Sequence, residues 1–298
     1  GLSCSVGLRY DYEHARCDFS KVQQPLNGNG ETKSLEQFNR SLHFGQFTPR
    51  FSMQYLSSHN QLFYASVSKG YKAGGFNVSF LNNDDYLYSP EYNWNYEIGT
   101  KLSFLNNRLS ADLSLFYIDW RNQQITNTIP TVGNVIRNAG RSRNKGIEAS
   151  FQARPTKSWM MYMNYGYTDA RFVHYQKEER GILKDYEGNY LPMVPRHTFS
   201  LTTGYSFYDI CSWIDRLTLN AGVSVTGPIY WYEDNQAKQS PYALVNLRIS
   251  INKGCFTWEA WSKNLTNTDY LSYYFVTSKA YAQKGKPITL GTSVSISL

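Results

Sequence analysis

The chain has 298 residues, 41% of them hydrophobic and 16% aromatic, but no apolar run approaches the roughly 18 residues that a membrane-crossing helix needs. This excludes a helical membrane protein and leaves a β-barrel open, because the alternating residues of a barrel strand average out in hydropathy. The formal net charge of +7 could indicate nucleic-acid binding, but the Lys and Arg residues are scattered and no RNA-binding aromatic motif is present. A basic excess on polar loops explains the charge better.

Strand patterns with a period of two recur along the whole chain. Residues 1–12 already alternate as a strand under way, so we expect either a removed leader or a larger protein that continues upstream. Enrichment in Tyr and Phe favours strands as well, and we predict about twelve of them. Their ranges are 2–12, 47–57, 61–72, 92–105, 107–121, 135–153, 157–172, 196–207, 215–230, 240–252, 255–265 and 286–298.

Residues 108–121 show the strand pattern most clearly. Every second residue from Leu109 to Tyr117 is apolar, and the residues between them are Ser110, Asp112, Ser114 and, near the end, Phe116. This gives one aliphatic face that ends in an aromatic residue, and one polar face. A strand of about ten residues crosses a bilayer when it is tilted, and an aromatic girdle marks the border between hydrocarbon and headgroups. The pattern therefore indicates a membrane strand.

Short and long connections mostly alternate between the predicted strands. The tight ones are 57–60, 105–108, 154–157 and 252–254, the medium ones are 208–215 and 231–239, and the long ones are 13–46, 73–91, 122–134, 173–195 and 266–285. An up-and-down meander with tight turns at one rim and long loops at the other produces this alternation, whereas a Greek-key sandwich does not. The sequence therefore predicts an all-β fold, an antiparallel up-and-down transmembrane β-barrel.

The polar side of the predicted strands fits the inside of a barrel. It carries Asp112, Glu148, Asn220, Asn246, Arg248 and Glu259. Charged and amide groups suit a wet or plugged lumen, while the aliphatic faces meet lipid and closure removes the unpaired strand edges. Glu97 and Lys101 share a face, and we expect them to pair along the lumen wall.

Motifs for catalysis are absent from the sequence. It contains no Gly-Lys-Ser/Thr phosphate loop, no H-E-x-x-H and no G-x-S-x-G. The acidic pairs Asp84–Asp85 and Glu178–Glu179 fall in the expected external loops, where solvated charge explains them better than acid–base catalysis. We predict no catalytic residue, no resident cofactor and no metal ligand, and therefore no enzyme.

Histidines and cysteines give only weak signals. His14, His43 and His174 fall on or near long loops, where contact with haem or a metal is a minor alternative. The cysteines lack the C-x-x-C spacing of a zinc or redox site, and we expect free thiols, with a disulfide as the alternative. They are Cys4, Cys17, Cys211 and Cys255.

A series of segments in order along nearly the whole chain carries a resemblance to a known family. They are V-G-L-R-Y-D at 6–11, S-K-G-Y-K-A-G-G-F-N at 68–77, Y-S-P-E-Y-N-W-N-Y-E-I-G-T-K at 88–101, L-F-Y-I-D-W-R-N-Q-Q-I at 115–125, R-N-A-G-R-S-R-N-K-G-I-E-A at 137–149, A-R-P-T at 153–156, G-Y-T-D-A at 166–170, W-S-K-N-L-T-N-T-D-Y at 261–270 and the closing G-T-S-V-S-I-S-L. In this order and spacing they resemble the C-terminal barrel of TonB-dependent outer-membrane receptors, especially the ferric-siderophore type.

The resemblance implies that residues 1–298 form the C-terminal β-barrel part of such a receptor, in the bacterial outer membrane with the C-terminus in the periplasm. Family members carry an N-terminal plug, a TonB-contacting segment and about 22 strands in one chain. The strands predicted here either close on themselves or form part of such a wall. The family usually ends on Phe, whereas this chain ends on Leu298, an apolar residue that still suits recognition by the barrel-insertion machinery.

The resemblance also implies uptake of a ferric siderophore or a similar iron complex, with TonB engaged through the plug that we do not find here and with no nucleic-acid partner. Such complexes are aromatic or anionic, so aromatic and cationic side chains at the external strand ends would bind them. The candidate ligand-binding residues are Tyr71, Lys72, Arg137, Arg141, Arg143, Tyr230, Trp231 and Tyr232. Aromatic residues at this height also suit the interfacial girdle, which is the competing explanation.

Two other interpretations remain open at this point. The first is a standalone outer-membrane pore or a small barrel enzyme such as a lipase, although we find no convincing Ser–His pair for the enzyme. The second is a soluble or surface β-rich glycan-binding protein, which does not explain the aliphatic face of nearly every strand. Importers of ferric siderophores, haem, cobalamin and oligosaccharides share the barrel, and the segments at 68–77 and 137–149 favour the iron type.

Overall fold

The computed structural model describes residues 1–23, 33–59, 61–80, 82–129, 132–138, 140–179, 182–276 and 279–297. No helix within these ranges has the length and apolar character needed to cross a membrane. The strands in chain order are β1 (Leu2–Gln23), β2 (Lys33–Leu56), β3 (Leu62–Lys72), β4 (Gly75–Phe76), β5 (Leu87–Tyr88), β6 (Glu91–Phe104), β7 (Leu109–Arg121), β8 (Gln124–Ile129), β9 (Gly133–Asn138), β10 (Arg141–Ala153), β11 (Trp159–His174), β12 (Gln176–Glu179), β13 (Ile182–Asp185), β14 (His197–Cys211), β15 (Ile214–Thr226), β16 (Ile229–Tyr230), β17 (Lys238–Gln239), β18 (Tyr242–Lys253), β19 (Phe256–Lys263), β20 (Leu271–Val276), β21 (Ala280–Lys284) and β22 (Thr289–Ile296), with a 3-10 turn at Asn83–Tyr86.

Twelve strands form one antiparallel sheet whose order follows the chain: β1-β2-β3-β6-β7-β10-β11-β14-β15-β18-β19-β22. Each strand pairs with the next one in this series, which confirms the predicted up-and-down meander. In the described part of the chain, β1 and β22 are the two edges of the sheet. The sheet is therefore an open wall and does not close on itself.

The other ten strands pair as five short hairpins: β4–β5, β8–β9, β12–β13, β16–β17 and β20–β21. Each hairpin lies between two neighbouring strands of the wall and always at the same rim, which we call the long-loop rim. The opposite rim, where β2 turns into β3 and β6 into β7, is the short-turn rim. The predicted alternation of long and short connections is thus confirmed, but the long ones contain paired strands that the sequence did not reveal.

One face of the wall is continuously apolar. The register places Leu115 opposite Ile98 on β6 and opposite Ile147 on β10, so that these residues share a face. Ile98 remains 56% exposed on this apolar face, and Val294 near the last edge remains 67% exposed. A band of exposed aliphatic residues of this extent suits hydrocarbon and disfavours the soluble glycan-binding alternative.

Aromatic residues flank the apolar face towards both rims. Tyr96 and Tyr117 pair across β6 and β7 on the long-loop side, with ring centroids 6.2 Å apart. Phe104 lies near the short-turn rim on the same face, and Trp159 begins β11 there. This placement matches the interfacial girdles of a membrane barrel.

The opposite face is polar, as the sequence predicts. It carries Asp112, Glu148, Asn220, Asn246, Arg248 and Glu259. Glu97 also lies there, but its carboxylate accepts a hydrogen bond from the Tyr64 hydroxyl at 2.6 Å. The expected ion pair between Glu97 and Lys101 is not formed among the described residues, and the register places Lys101 directly opposite Asp112 instead.

The first hairpin is much longer than the sequence predicts. We expected strands at 2–12 and 47–57 joined by a polar loop over 13–46, but β1 and β2 stay paired as far as Gln23 opposite Lys33. The prediction of a loop was wrong because it followed the mostly polar residues 22–34 in the middle of the segment. It overlooked a weak alternation on either side of them, where Ala15, Cys17 and Phe19 on β1 and Leu42 and Phe44 on β2 are separated by polar residues.

Main-chain pairing and ring contacts hold the extended ribbon together. Phe19 and Phe38 lie opposite each other with ring centroids 5.0 Å apart, and Phe80 packs on Phe19 at 5.1 Å. Aromatic pairs across strands stabilise a ribbon that has no buried face of its own. Residues 24–32, in the middle of the expected loop, lie outside the described residues.

Two predicted strands are each divided in the structure. The strand expected at 135–153 becomes β9 and β10, because β9 pairs locally with β8 while β10 joins the wall beside β7. The strand expected at 215–230 becomes β15 and β16, because Pro228 has no N–H to continue the ladder. In both cases the alternation of apolar and polar residues continues across the break, whereas the hydrogen-bonded ladder of the wall stops there.

All four cysteines are free. Cys4 lies opposite Met53, and Cys17 lies opposite Arg40, so the register of the first hairpin keeps these two sulfurs on separate cross-strand pairs. Leu298, the apolar residue on which the chain ends, lies outside the described residues.

We predict that the wall tolerates a methyl group at one glycine and not at another. A Cβ at Gly146 would lie 2.0 Å from the Tyr167 carbonyl oxygen and 2.5 Å from the Phe116 ring, whereas at Gly222 its nearest neighbour would be 3.6 Å away. Gly146→Ala should lower the free energy of unfolding by about 1–3 kcal/mol through overpacking. Gly222→Ala, the matched control, should leave it unchanged or raise it slightly. Urea unfolding in detergent micelles measures both, and equal midpoints for the two variants would contradict the packing argument.

Candidate functional site

A cavity lies between three of the long loops. It has a volume of about 680 Å³ and is open to solvent. Its walls come from the β12–β13 hairpin with the residue after it, from the connection between β16 and β17, and from the end of β20. Lys177, Ile182, Lys184, Tyr186, Tyr232, Glu233, Asp234 and Val276 line it, and we call it the loop cavity.

Two lysines give the loop cavity its cationic side. Lys177 on β12 and Lys184 on β13 are a directly opposed cross-strand pair. Both side chains line the cavity, so their ammonium groups place two positive charges at this wall. The Lys177 ammonium also donates a hydrogen bond to the Asn127 side-chain oxygen at 2.8 Å, which ties this hairpin to β8.

A buried aromatic cluster supports the hairpin from below. It consists of Ala170, Phe172, Tyr175, Tyr186 and Leu191, and Phe172 is only 1% exposed. Main-chain bonds fix the loop on this cluster, because the Tyr186 N–H donates to the Tyr175 carbonyl at 2.9 Å and the Leu191 N–H to Ala170 at 3.0 Å. Tyr186 belongs to both the cluster and the cavity lining, so the cavity wall rests on packed residues.

Tyr232 links two of the loops that form the cavity. Its hydroxyl oxygen accepts a hydrogen bond from the Val276 N–H at 2.6 Å, and its ring meets Tyr274 edge-on at 6.2 Å. Burial raises the pKa of the Tyr232 hydroxyl above its ordinary value, so that the phenol stays neutral. Its own O–H therefore remains a donor at the cavity wall.

Asn235 fixes the connection that carries Tyr232. Its side-chain oxygen accepts the Tyr190 N–H at 2.7 Å, and its side-chain nitrogen donates to the Tyr190 carbonyl at 2.9 Å. Asn235 has a φ of 54°, a left-handed conformation that Asn tolerates better than most residues. The adjacent Asn189 side chain donates to the Glu233 carbonyl at 2.9 Å. The connection is thus held in one shape from both ends.

The three consecutive aromatic residues predicted as ligand contacts take different places. Tyr230 stacks on Tyr190 with centroids 5.4 Å apart and ring planes 8° apart. Trp231 is only 6% exposed and packs near Tyr273. Only Tyr232 lines the loop cavity, while the other two belong to its frame.

Arg137 is engaged within the loops. Its guanidinium donates to both carboxylate oxygens of Asp85 at 2.7 and 2.8 Å. These hydrogen bonds raise the pKa of Arg137 above its ordinary value. The Asn77 side chain donates to the Asp85 carbonyl and to the Ile136 carbonyl, both at 2.8 Å, which brings the 3-10 turn and β9 together.

The expected solvated acidic run at Asp84–Asp85 is wrong for its second member. Asp85 is 6% exposed, because Arg137 neutralises it in a bidentate pair that stays favourable when partly buried. For the other acidic pair, the side chains of Glu178 and Glu179 lie outside the described part of the structure.

The remaining predicted contacts lie apart from the loop cavity. Tyr71 and Lys72 end β3 opposite Tyr92 and Glu91, and the Tyr71 hydroxyl is buried without a hydrogen-bond partner in the described structure. Arg141 and Arg143 begin β10 and continue the register of the apolar face beyond its aromatic residues. These four residues stay predictions as ligand contacts.

The histidines do not assemble a metal site. His14 and His43 stack across the first hairpin with centroids 4.4 Å apart, and the Tyr12 hydroxyl lies 2.9 Å from His43 Nδ1. His174 Nδ1 lies 3.4 Å from a Glu187 carboxylate oxygen. Within the described ranges, no group of three or more His, Cys, Asp or Glu side chains is placed to hold a metal ion.

Sequence reasoning missed Lys177, Lys184 and Tyr186. The signal was present in Y-Q-K-E-E-R-G-I-L-K-D-Y, where two short polar segments flank Arg180-Gly181 as a hairpin would. Once the segment is treated as a hairpin, the two lysines become cross-strand neighbours. Treating 173–195 as one unstructured loop concealed this relation.

Comparison with known proteins places the chain in a family. The family described as TonB dependent receptor-like, beta-barrel matches residues 1–267. The probable TonB-dependent siderophore receptor PiuA of Acinetobacter baumannii is 26% identical over 241 residues, which cover 75% of this chain and 30% of that protein. The pesticin receptor of Yersinia pestis is 24% identical over 303 residues, which cover 97% of this chain and 40% of that receptor.

Solved structures show the same fold. The crystal structure of the ferric yersiniabactin uptake receptor FyuA from Yersinia pestis superposes with a TM-score of 0.81 at 20% identity, over 99% of this chain and 43% of that one. The chain thus spans less than half the length of each of these relatives. The family is made up of transport receptors in the outer membrane and not of enzymes, so a barrel enzyme is not favoured. The match over most of the chain confirms the resemblance seen in the sequence, and the chain belongs to the family of TonB-dependent receptor β-barrels.

Proposed function

We propose that the protein takes up a ferric siderophore or a similar iron complex across the bacterial outer membrane. The long-loop rim faces the outside, and the short-turn rim and the C-terminus face the periplasm. Two observations support this proposal: the chain is similar to receptors named for siderophores, and its long loops enclose a cavity that two tyrosines line together with two lysines at one wall and two carboxylates, Glu233 and Asp234, at another. Long external loops and short periplasmic turns are the general arrangement in such barrels.

The two edge strands of the wall need further strands to pair with in the membrane. Unpaired N–H and C=O groups of an edge strand are costly in hydrocarbon, so β1 and β22 need partner strands there. We propose that these partners belong to a larger barrel of about 22 strands. Coupling to TonB would then run through a plug domain within that barrel, as the resemblance to the family implies.

The single observation that carries the ligand proposal is the opposed lysine pair in the loop cavity. Lys177 and Lys184 supply positive charge at one wall, and Tyr186 and Tyr232 supply aromatic surface and a hydroxyl donor at the others. An anionic, aryl-bearing iron chelate suits both walls through charge-assisted hydrogen bonds and stacking. The cavity volume of about 680 Å³ fits a ligand of that size.

Of the contacts expected from the sequence, Tyr232 is the one that this proposal places against the ligand. Tyr230 and Trp231 hold the frame of the cavity through Tyr190 and Tyr273. Arg137 acts on the ligand only if its pair with Asp85 opens. The proposal therefore depends on the loop cavity and not on every residue that the sequence singled out.

We predict that removing both cavity lysine charges weakens binding of an anionic iron chelate. Lys177→Gln with Lys184→Gln should raise the Kd about tenfold or more at low salt, because two charge-assisted contacts are lost. The difference from wild type should shrink as salt is added. Quenching of tryptophan fluorescence, titrated with ferric catecholate, phenolate and hydroxamate chelates, measures it. The control is Lys238→Gln with Lys284→Gln, two lysines of neighbouring loops that do not line the cavity. Equal affinities of both double variants for every chelate would contradict the proposal.

We predict that the affinity for the iron chelate falls in two steps as the Tyr232 side chain is shortened. Tyr232→Phe removes the oxygen that accepts the Val276 N–H and should cost about 1 kcal/mol in binding, roughly fivefold in Kd. Tyr232→Ala also removes the ring and should weaken binding further. Tyr208→Phe, at the short-turn rim, should have no effect. The same titrations measure all three, and a Tyr232→Ala variant that binds like wild type would exclude this tyrosine from the site.

We predict that uptake depends on TonB. Cells that produce the native protein containing this chain should accumulate radiolabelled iron from its chelate only when TonB is present. Binding of the chelate at the cell surface should persist without TonB, because binding in the loop cavity does not require an energy source. Accumulation at the same rate in cells lacking TonB would favour an open pore over a coupled receptor.

A further inference from the structure

A second wall of the loop cavity is acidic. Glu233 and Asp234 line the cavity from the connection between β16 and β17, whereas Lys177 and Lys184 line it from the β12–β13 hairpin. The cavity therefore carries charges of both signs on walls that belong to different loops. A ligand that fills this space meets both walls.

Glu233 is nearly buried although its side chain is a carboxylate. It is only 8% exposed, and no cation or hydrogen-bond donor of the described residues pairs with its carboxylate. The carboxylate oxygens are not among the fully buried atoms that lack a partner, so the exposed remainder of the side chain includes its charged end. Because Glu233 lines the loop cavity, this end reaches the cavity space. A carboxylate that has lost most of its water needs a cation or a donor in exchange.

The main chain around Glu233 is held in place. The Glu233 carbonyl accepts a hydrogen bond from the Asn189 side chain at 2.9 Å. The preceding carbonyl, that of Tyr232, accepts from both the main-chain N–H and the side-chain nitrogen of Asn235, each at 3.1 Å. A side chain on such a fixed turn stands at the cavity wall before any ligand arrives, which lowers the cost of ordering on binding.

Asp234 differs from its neighbour in exposure and in bonding. Its side chain is exposed, and one carboxylate oxygen accepts the Gln236 N–H at 3.0 Å within the same turn. An exposed and hydrogen-bonded carboxylate needs no group from a ligand, and salt screens its charge. The unpaired charge of the acidic wall is therefore that of Glu233.

We propose that Glu233 binds a cationic arm of the transported iron chelate, an aliphatic ammonium or a guanidinium group. This inference deepens the proposed function and rests on it. The chelate is then zwitterionic: its anionic, aryl-bearing part lies towards Lys177 and Lys184, and its positively charged arm reaches the Glu233 carboxylate. A charge-assisted hydrogen bond in a partly desolvated cavity contributes more than the same bond at an open surface.

A bound metal ion and the cavity lysines explain the carboxylate less well. Within the described ranges, no third His, Cys, Asp or Glu side chain joins Glu233 and Asp234 to hold a metal ion. The lysines lie on another hairpin, where Lys177 donates to Asn127 at 2.8 Å. A cationic group that enters with the ligand meets the carboxylate without moving either loop.

The test compares iron chelates that differ only in the charge of one arm. Ferric catecholate, phenolate and hydroxamate chelates are each prepared with a primary ammonium arm and with the same arm N-acetylated, which makes it neutral. They are titrated against the native protein that contains this chain, purified in detergent, and quenching of tryptophan fluorescence gives the Kd. Wild type should bind the ammonium form of its chelate about tenfold more tightly than the N-acetyl form, because the neutral arm lacks the charge-assisted bond.

Matched variants assign this preference to one carboxylate. Glu233→Gln keeps the shape of the side chain and removes its charge, so the two forms should bind equally. The N-acetyl form should bind this variant like wild type, which shows that the loop is intact. The control is Glu187→Gln, which changes an exposed carboxylate of a neighbouring loop outside the cavity lining and should keep the tenfold preference. Asp234→Asn should keep most of the preference.

Four results would overturn the inference. The first is equal binding of both forms by wild type, and the second is a preference for the ammonium arm that persists in Glu233→Gln. The third is loss of both forms in Glu233→Gln, which would assign the carboxylate to the shape of the loop. The fourth is displacement of the ammonium form by Ca²⁺ in wild type and not in Glu233→Gln, which would assign the carboxylate to a metal ion.

Failure of the transport proposal gives a different result. Wild type that binds neither form of any chelate would end the proposed function, and this inference with it. Chelates that bind wild type equally with either arm would leave the proposed function intact and end the inference about Glu233 alone.

Discussion

Main-chain hydrogen bonding is the constraint on which the rest of this structure depends. Within hydrocarbon no water can satisfy a peptide group, so each strand must pair along its whole length with both neighbours. The wall meets this requirement between β7 and β10, where Leu109 to Arg121 pair one by one with the residues from Ala153 to Arg141. The register shifts of the wall lie near strand ends, at Lys21/Val22, Arg141/Ser142 and Tyr208/Cys211. Once that register is fixed, the face of every side chain follows from its position along the strand.

The loops are not under this constraint, since water can form hydrogen bonds with their peptide groups. Their shape is fixed by side chains: Asn235 bridges to Tyr190, Tyr232 accepts from Val276, and a buried aromatic group supports Tyr186. The wall contributes to this support, since Ala170 and Phe172 of β11 belong to the cluster under Tyr186. A receptor built this way can change its ligand by changing loop contacts while its membrane registers stay the same.

The sequence predicted the wall far better than the loops, for a physical reason. A strand between lipid and lumen must alternate apolar and polar residues, and the stretch around Leu109–Tyr117 shows that alternation directly. The extension of β1 and β2 shows only a weak alternation, with Phe19 opposite Phe38 and Ala15 opposite Leu42, and the short hairpin that opposes Lys177 and Lys184 shows none. Tyr232 could be predicted as an aromatic residue beyond a strand end, but its partner Val276 could not, because contacts between loops do not follow from spacing.

The arginines show how the same register sorts residues of one type into different roles. Arg141, Arg143 and Lys145 precede Ile147 at every second position of the strand. This alternation alone assigns them to the same face as Ile147, the lipid side. Arg248, on β18, has the opposite phase and meets Glu259 across the lumen face at 3.8 Å. The phase of a cation near a strand end therefore decides whether its side chain starts from the lumen face or from the outward face. By this criterion Arg248 lies on the lumen face, and Arg141, Arg143 and Lys145 lie on the outward face.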